Sequence, residues 1–288
     1  MELNTEIPTH PPRDASTVML LRDGAGGIEV FLVKRHSASR VLGGAYVFPG
    51  GKLDAADSDL HPRHLNLSAQ ALHTKLGEPD TPADKASALF VAALRETFEE
   101  AGVLLTEKPP ARDAANAANA AQDFHTLLDA QGLCLNVQAL HPWVRWITPR
   151  MPSVTNRRFD TRFFMAAMPA HQTAAHDNVE ATDSAWLHPR EALEQYWSQA
   201  IDMAPPQIMS LAYLARHGSV AGVMADLGTR APVTILPESH DQDGQRVICY
   251  PGDPRHSVST RALPGPTRLV WRNQRFEPEG GLRALWAD

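Results

Sequence analysis

Arg95-Glu96-Thr97-Phe98-Glu99-Glu100-Ala101-Gly102-Val103 is the stretch on which the reading of this chain turns. It closes a run from Ala83 to Ala101 that is rich in Ala, Leu and Glu, which enter helices at little cost, and Gly102 stands where such a helix can stop. With Arg95 at zero on a wheel of about 100° per residue, Glu99 falls at about 40°, Glu96 at about 100° and Glu100 at about 140°. Val91, Leu94, Phe98 and Leu105 gather between about 260° and 320°, almost opposite. The helix therefore has an apolar stripe to bury and an acidic stripe to present. Arg95 lies one helical turn before Glu99, so the two side chains can meet. Grouped carboxylates repel unless something offsets them. A solvated helix face does so weakly; a hard divalent cation does so strongly, and it also neutralises phosphate oxygens and acidifies bound water.

Upstream stands Phe48-Pro49-Gly50-Gly51. Adjacent glycines permit a tight turn and a close approach of backbone to a ligand. Further out, Ser16 to Arg22 and Ile28 to Arg35 read as strands around a Gly24-Ala25-Gly26-Gly27 turn. Residues 1–15, with Pro8, Pro11 and Pro12, are expected to form a loose arm. Residues 58–82 show no clear period and read as an insertion. Asp113 to Gln131 is a second helix candidate. Trp143 to Thr148, Arg158 to Met168 and Ser184 to Leu187 suit strands. Pro189 opens a helix from Arg190 to Gln199, and Pro205-Pro206 opens another through His217. Beyond these, Val233 to Leu236, Val247 to Tyr250 and Arg268 to Arg272 predict short strands. The domain plan is an arm at 1–15, a main domain at 16–200, and a C-terminal extension at 201–288 packed on it.

Bulk properties narrow the function. The chain has 288 residues, 43% hydrophobic and 21% charged, which suits a globular fold with a full core. Its net charge of −6 argues against bulk nucleic-acid binding, which needs a basic stripe. No apolar run approaches the roughly 18 residues of a membrane span. Two cysteines, Cys134 and Cys249, make no disulfide framework or zinc site. The expected location is cytoplasmic.

The glycine turn followed by Arg-Glu-x-x-Glu-Glu-x-Gly resembles the box of the Nudix hydrolase family. Gly51 matches its first glycine, and Arg95, Glu96, Glu99, Glu100, Gly102 and Val103 match its second half. Thr97 replaces an aliphatic residue. Counted from Gly51, the family glutamate falls at Asp57; counted from the helix, it falls at Ser87. Family spacing would put the arginine at position 65, so about 30 residues are inserted. The resemblance implies an α/β fold, a Nudix-type α/β/α sandwich around a mixed sheet, with an inserted segment in the box. It implies Mg²⁺, with Mn²⁺ as a substitute, held by Glu96, Glu99, Glu100 and the Gly50 carbonyl. It gives Glu99 and Glu100 catalytic roles, with Arg95 as orienter and Glu180 as a loop carboxylate that binds metal or acts as base.

An interrupted box is similar to a branch that includes mammalian coenzyme A diphosphatase-like proteins. Trp146-Ile147-Thr148-Pro149 and Arg158-Phe159-Asp160-Thr161-Arg162-Phe163-Phe164 also resemble that branch, and Arg40, Gly44 and Phe48 sit at the spacing of its coenzyme A signature. The expected reaction is cleavage of coenzyme A or acyl-coenzyme A to phosphopantetheine and adenosine 3′,5′-bisphosphate. Alternatives are another nucleoside diphosphate derivative or a non-catalytic nucleotide sensor. Arg40, Arg35, Arg158 and Gly51 are the expected substrate contacts, with Lys52, Arg157 and Arg162 as further phosphate candidates. Arginine forks suit phosphate oxygens. The expected partners are the small-molecule substrate and a second copy of the chain in a homodimer, with no nucleic acid and no membrane.

Overall fold

The computed structural model describes residues 7–39, 41–109, 123–153 and 157–287. Its centre is an eight-stranded mixed sheet. Strands β1 (Arg13–Gly24) and β2 (Gly27–Arg35) form a long antiparallel hairpin. Next come β3 (Tyr46–Val47) and β4 (Gly50–Lys52), then β5 (His141–Ile147), β6 (Phe159–Ala167), β7 (Ala181–Leu187) and β8 (Val233–Ile235). The order is β3-β2-β1-β6-β5-β8, with β4 also on β1 and β7 also on β2. The β1–β6 and β5–β8 pairs are parallel and the others antiparallel.

Both faces of this sheet are buried, and the strands show it by alternation. On β1, Val18 and Leu20 enter one core while Met19 and Leu21 enter the other. Phe31 and Val33 of β2 and Phe164 of β6 join the first; Val30, Leu32 and Phe163 join the second. Helices α1 (Ala55–Asp59), α2 (Ala69–Leu76), α3 (Ala83–Ala101) and α4 (Phe124–Gln131) belong to the first face. Helices α5 (Pro189–Trp197), α6 (Pro205–Leu214) and α7 (Val220–Leu227) cover the second. A smaller antiparallel sheet, β9 (Glu238–Gln242), β10 (Gln245–Cys249), β11 (Arg268–Arg272) and β12 (Arg275–Glu277), completes that layer through Ile248, Leu269 and Phe276. The layers are those of the expected sandwich.

Several expectations shift. β1 begins at Arg13, inside the stretch expected to be a loose arm. The inserted stretch is ordered: α2 is capped by the Ser68 hydroxyl, which accepts from the Ala71 N–H, and it buries Leu72 and Leu76 with α3. Its short period was hidden among polar residues. The helix expected from Asp113 is described only from Phe124; residues 110–122 lie outside the described residues. The C-terminal stretch adds β8 to the main sheet, parallel to β5.

Arg162, a phosphate candidate by sequence, has a structural role instead. It is buried, and its guanidinium donates to Asp14, to both Glu78 oxygens and to the Asp160 carbonyl. Arg145 closes the cluster with a bidentate pair to Asp160. Lys85 and Arg162 hold Asp14, and Arg162, Thr81 and Arg145 hold Glu78, below the usual carboxylate range despite burial that pushes the other way. Arg162→Met would leave those carboxylates without their central partner. Urea denaturation should then report a loss of about 3–5 kcal/mol, the usual consequence of removing one partner of a buried ion pair.

Candidate active site

The site starts from close contact between a strand and a helix. β4 lies antiparallel to β1, with Thr17 opposite Gly50 and Ser16 opposite Gly51. The Ser16 hydroxyl donates to the Leu89 carbonyl at 2.7 Å, tying β1 to α3. A Cβ on Gly50 would strike Thr17 and the Ser16 carbonyl; one on Gly51 would strike the Glu96 carboxylate. Neither glycine has a positive φ, so close approach is the reason for both. The Gly50 N–H donates to the Glu100 carboxylate at 3.0 Å.

Arg95 joins the halves of the interrupted box. Its Nε and Nη2 donate to the two oxygens of Asp57 at 2.8 and 2.9 Å. Its Nη1 donates to Glu96 and Glu99, both at 2.9 Å, and Nη2 also reaches the Lys52 carbonyl at 3.0 Å. Asp57 is wholly buried and accepts in addition from the Asp54 N–H, which fixes the start of α1. Counting from the glycine side therefore finds the residue that faces the arginine. Thr97, in the aliphatic position of the box, is buried and returns its hydroxyl to the Ala93 carbonyl at 2.7 Å, which satisfies it.

Glu96, Glu99, Glu100, Gly50, Gly51 and Glu180 line one cleft of about 540 Å³. Arg35 stands between two of them, 3.6 Å from Glu100 and 3.6 Å from Glu180, and its buried Nε has no hydrogen-bond partner among the described residues. Glu180 precedes β7 and is exposed; the Asp177 carboxylate accepts its N–H and shapes that loop. Lys52 and Arg157 lie at the exposed rim. Arg158 is corrected: it does not line the cleft, and it donates to the Thr148 and Pro149 carbonyls. Arg40 lies outside the described residues.

The electrostatics follow from burial. Burial pushes Glu100 up to about 8, reinforced by the Glu96 charge and opposed by the Gly50 N–H and Arg35. Burial likewise raises Glu96 to about 7, against the pull of Arg95. Glu99 is raised by burial as well, though Arg95 opposes that. Among the described residues, Asp57, Glu96, Glu99, Glu100 and Glu180 pair with two guanidiniums, those of Arg95 and Arg35, so negative charge is in excess in this group. Among the described residues no three His, Cys, Asp or Glu side chains are grouped so as to hold a metal ion as they stand, and Arg95 binds Glu96 and Glu99. The donors are all hard oxygens, and their charge excess suits a divalent cation.

The family model described as the NUDT19 Nudix domain matches residues 12–214. The chain belongs to that family. The matched residues run from the start of β1 to the end of α6 and include the inserted α2. The acyl-coenzyme A diphosphatase NUDT19 of Xenopus laevis is 31% identical over 231 residues, covering 67% of this chain and 61% of that protein. The human protein of the same name is 30% identical over 237 residues, covering 68% and 63%. The chain thus matches somewhat less than two thirds of the length of either relative. A crystal structure of a Nudix hydrolase from Alicyclobacillus acidocaldarius is 29% identical, with a TM-score of 0.62, covering 77% of this chain and 98% of that one.

Raised carboxylate pKa values carry a sign. Glu96 and Glu100 bind more protons in the folded protein than in the unfolded chain from the ordinary value of 4.5 up to about 7 and about 8, so their contribution to stability falls as pH rises through that window. A cation held by the ionised face offsets the fall. Melting temperatures from about pH 5 to about pH 8 should decline more steeply in chelator than in millimolar Mg²⁺. Equal slopes would remove this face as a cation site.

Proposed function

We propose that this chain is a Mg²⁺-dependent diphosphatase acting on coenzyme A or its acyl derivatives, releasing adenosine 3′,5′-bisphosphate and phosphopantetheine, which keeps the acyl group when the substrate carries one. One observation carries the reading: three glutamates of a single helix converge on a cleft that also holds an arginine with an unpaired N–H. The names of the relatives supply the substrate class.

In this reading Glu96, Glu99, Glu100 and the Gly50 carbonyl hold Mg²⁺ or Mn²⁺. Such a cation supplies positive charge to diphosphate oxygens and makes water more acidic. Arg35 donates its unpaired Nε to a phosphate oxygen, and Lys52 and Arg157 add charge at the rim. Arg95 positions Glu96 and Glu99 through one amino group. Glu99 or Glu180 takes the proton from the attacking water; both are the more exposed carboxylates of the set. Water adds to one phosphorus, the bridging P–O bond breaks, and the departing phosphate carries away the bond's electron pair. The side chains mainly orient and neutralise, as charge develops on oxygens already surrounded by fixed donors. The homodimer and the cytoplasmic location belong to this proposal too; the free thiols of Cys134 and Cys249 suit a reducing compartment.

Glu99→Gln and Glu100→Gln each keep the size of the side chain and remove its charge. With coenzyme A and Mg²⁺, each should lower kcat by roughly 100-fold or more while the far-ultraviolet spectrum stays unchanged. Product release followed by mass spectrometry checks this. Near wild-type rates in both variants would overturn the site.

A further inference from the structure

Part of the cleft lining is apolar: Phe48, Trp146, Phe163, Ile248, Pro205 and Pro206 all contribute. Among its polar members are two buried side chains. Gln207 is 7% exposed and Ser153 is 4% exposed, and both line the cleft. The Gln207 Oε1 and the Ser153 Oγ have no hydrogen-bond partner among the described residues. Buried polar atoms are nearly always paired, since leaving one unpaired costs free energy.

Gln207 is held in place by its helix. Pro205 and Pro206 open α6, and every residue of that helix but Pro206 is buried. Ile208, Met209, Leu211 and Ala212 fill the second core. The carboxamide at the third position therefore meets the cleft with an acceptor that no described residue pairs. An acceptor oxygen cannot serve phosphate oxygens; it calls for an N–H or O–H donor. Apolar walls around one acceptor and one hydroxyl suit a chain of methylene groups broken by amides.

We propose that Gln207 is a specificity-determining residue that accepts a hydrogen bond from an amide N–H of the substrate's non-nucleotide arm, with the Ser153 hydroxyl pairing a second polar group of that arm. The inference rests on the reading of the substrate as a diphosphate with an amide-bearing arm. It assigns the apolar wing, built largely by β5, β6, α6 and β10, to that arm and the charged floor to the diphosphate.

The test compares two ligands on the full chain by titration calorimetry. Phosphopantetheine carries the arm; adenosine 3′,5′-bisphosphate does not. Gln207→Leu should weaken phosphopantetheine binding about five- to tenfold, the worth of one hydrogen bond, and leave the bisphosphate unchanged. It should raise KM for coenzyme A with little change in kcat. Its melting temperature should hold or rise, because an unpaired buried acceptor is gone; a purely structural glutamine would lower it. Ser153→Ala, a smaller change, should show the same selectivity if Gln207→Leu does not fold. Unchanged phosphopantetheine affinity in both variants, or equal losses for both ligands, would overturn the assignment. A wild-type chain that binds no phosphopantetheine also overturns it. One that binds phosphopantetheine but does not cleave coenzyme A defeats the proposed function and leaves this arm site standing.

Discussion

Arg95 is buried with carboxylates around it and a backbone carbonyl at its edge. A guanidinium out of water needs most of its donors used, and this one gives them to Asp57, Glu96, Glu99 and Lys52. In return it fixes where those groups lie. α1 is set against α3 by the pair with Asp57, β4 by the Lys52 carbonyl, and two cleft carboxylates by one amino group. A lysine could not replace it, since a single ammonium lacks the planar fork that meets both Asp57 oxygens. Asp57 and Arg95 meet directly across 38 positions of sequence. The residues between them include α2, which buries Leu72 and Leu76 with α3, and Glu78, which pairs with Arg162.

The same helix answers two opposing demands. It must bury Phe98, Leu94 and Val91 against the sheet, and it must keep Glu96, Glu99 and Glu100 beside the glycine turn. Burial raises the glutamates' proton affinity, yet Arg95 and the Gly50 N–H oppose that rise. Glu96, at about 7, and Glu100, at about 8, thereby stand between charged and neutral near neutral pH. Such a set responds strongly to any added positive charge. The glycines are the other half of this balance, because a side chain on Gly51 would displace the Glu96 carboxylate.

How much of this was legible in the chain depends on the range of the interaction. The acidic face of α3 follows from helical period alone, so Glu96, Glu99 and Glu100 could be grouped without a structure. The strands β1, β2, β5 and β6 were visible because β-branched and aromatic residues recur there. Asp57 was ambiguous, since counting from the glycine and counting from the helix gave different positions. Arg158 and Arg162 looked like phosphate ligands because charge is all that a sequence reveals of an arginine; their partners, the Thr148 carbonyl and the Asp14–Glu78–Asp160 cluster, come from elsewhere in the chain.

The chain by itself determined the helix that carries the carboxylates, its arginine and the adjacent glycines, because period and steric demand act over a few residues. Tertiary structure alone decided which acid meets Arg95, which arginine reaches the cleft, and that α6 and β10 wall it. Gln207 and Ser153 belong to no motif. They gain meaning only when burial removes water from them, and burial is a property of the packed whole.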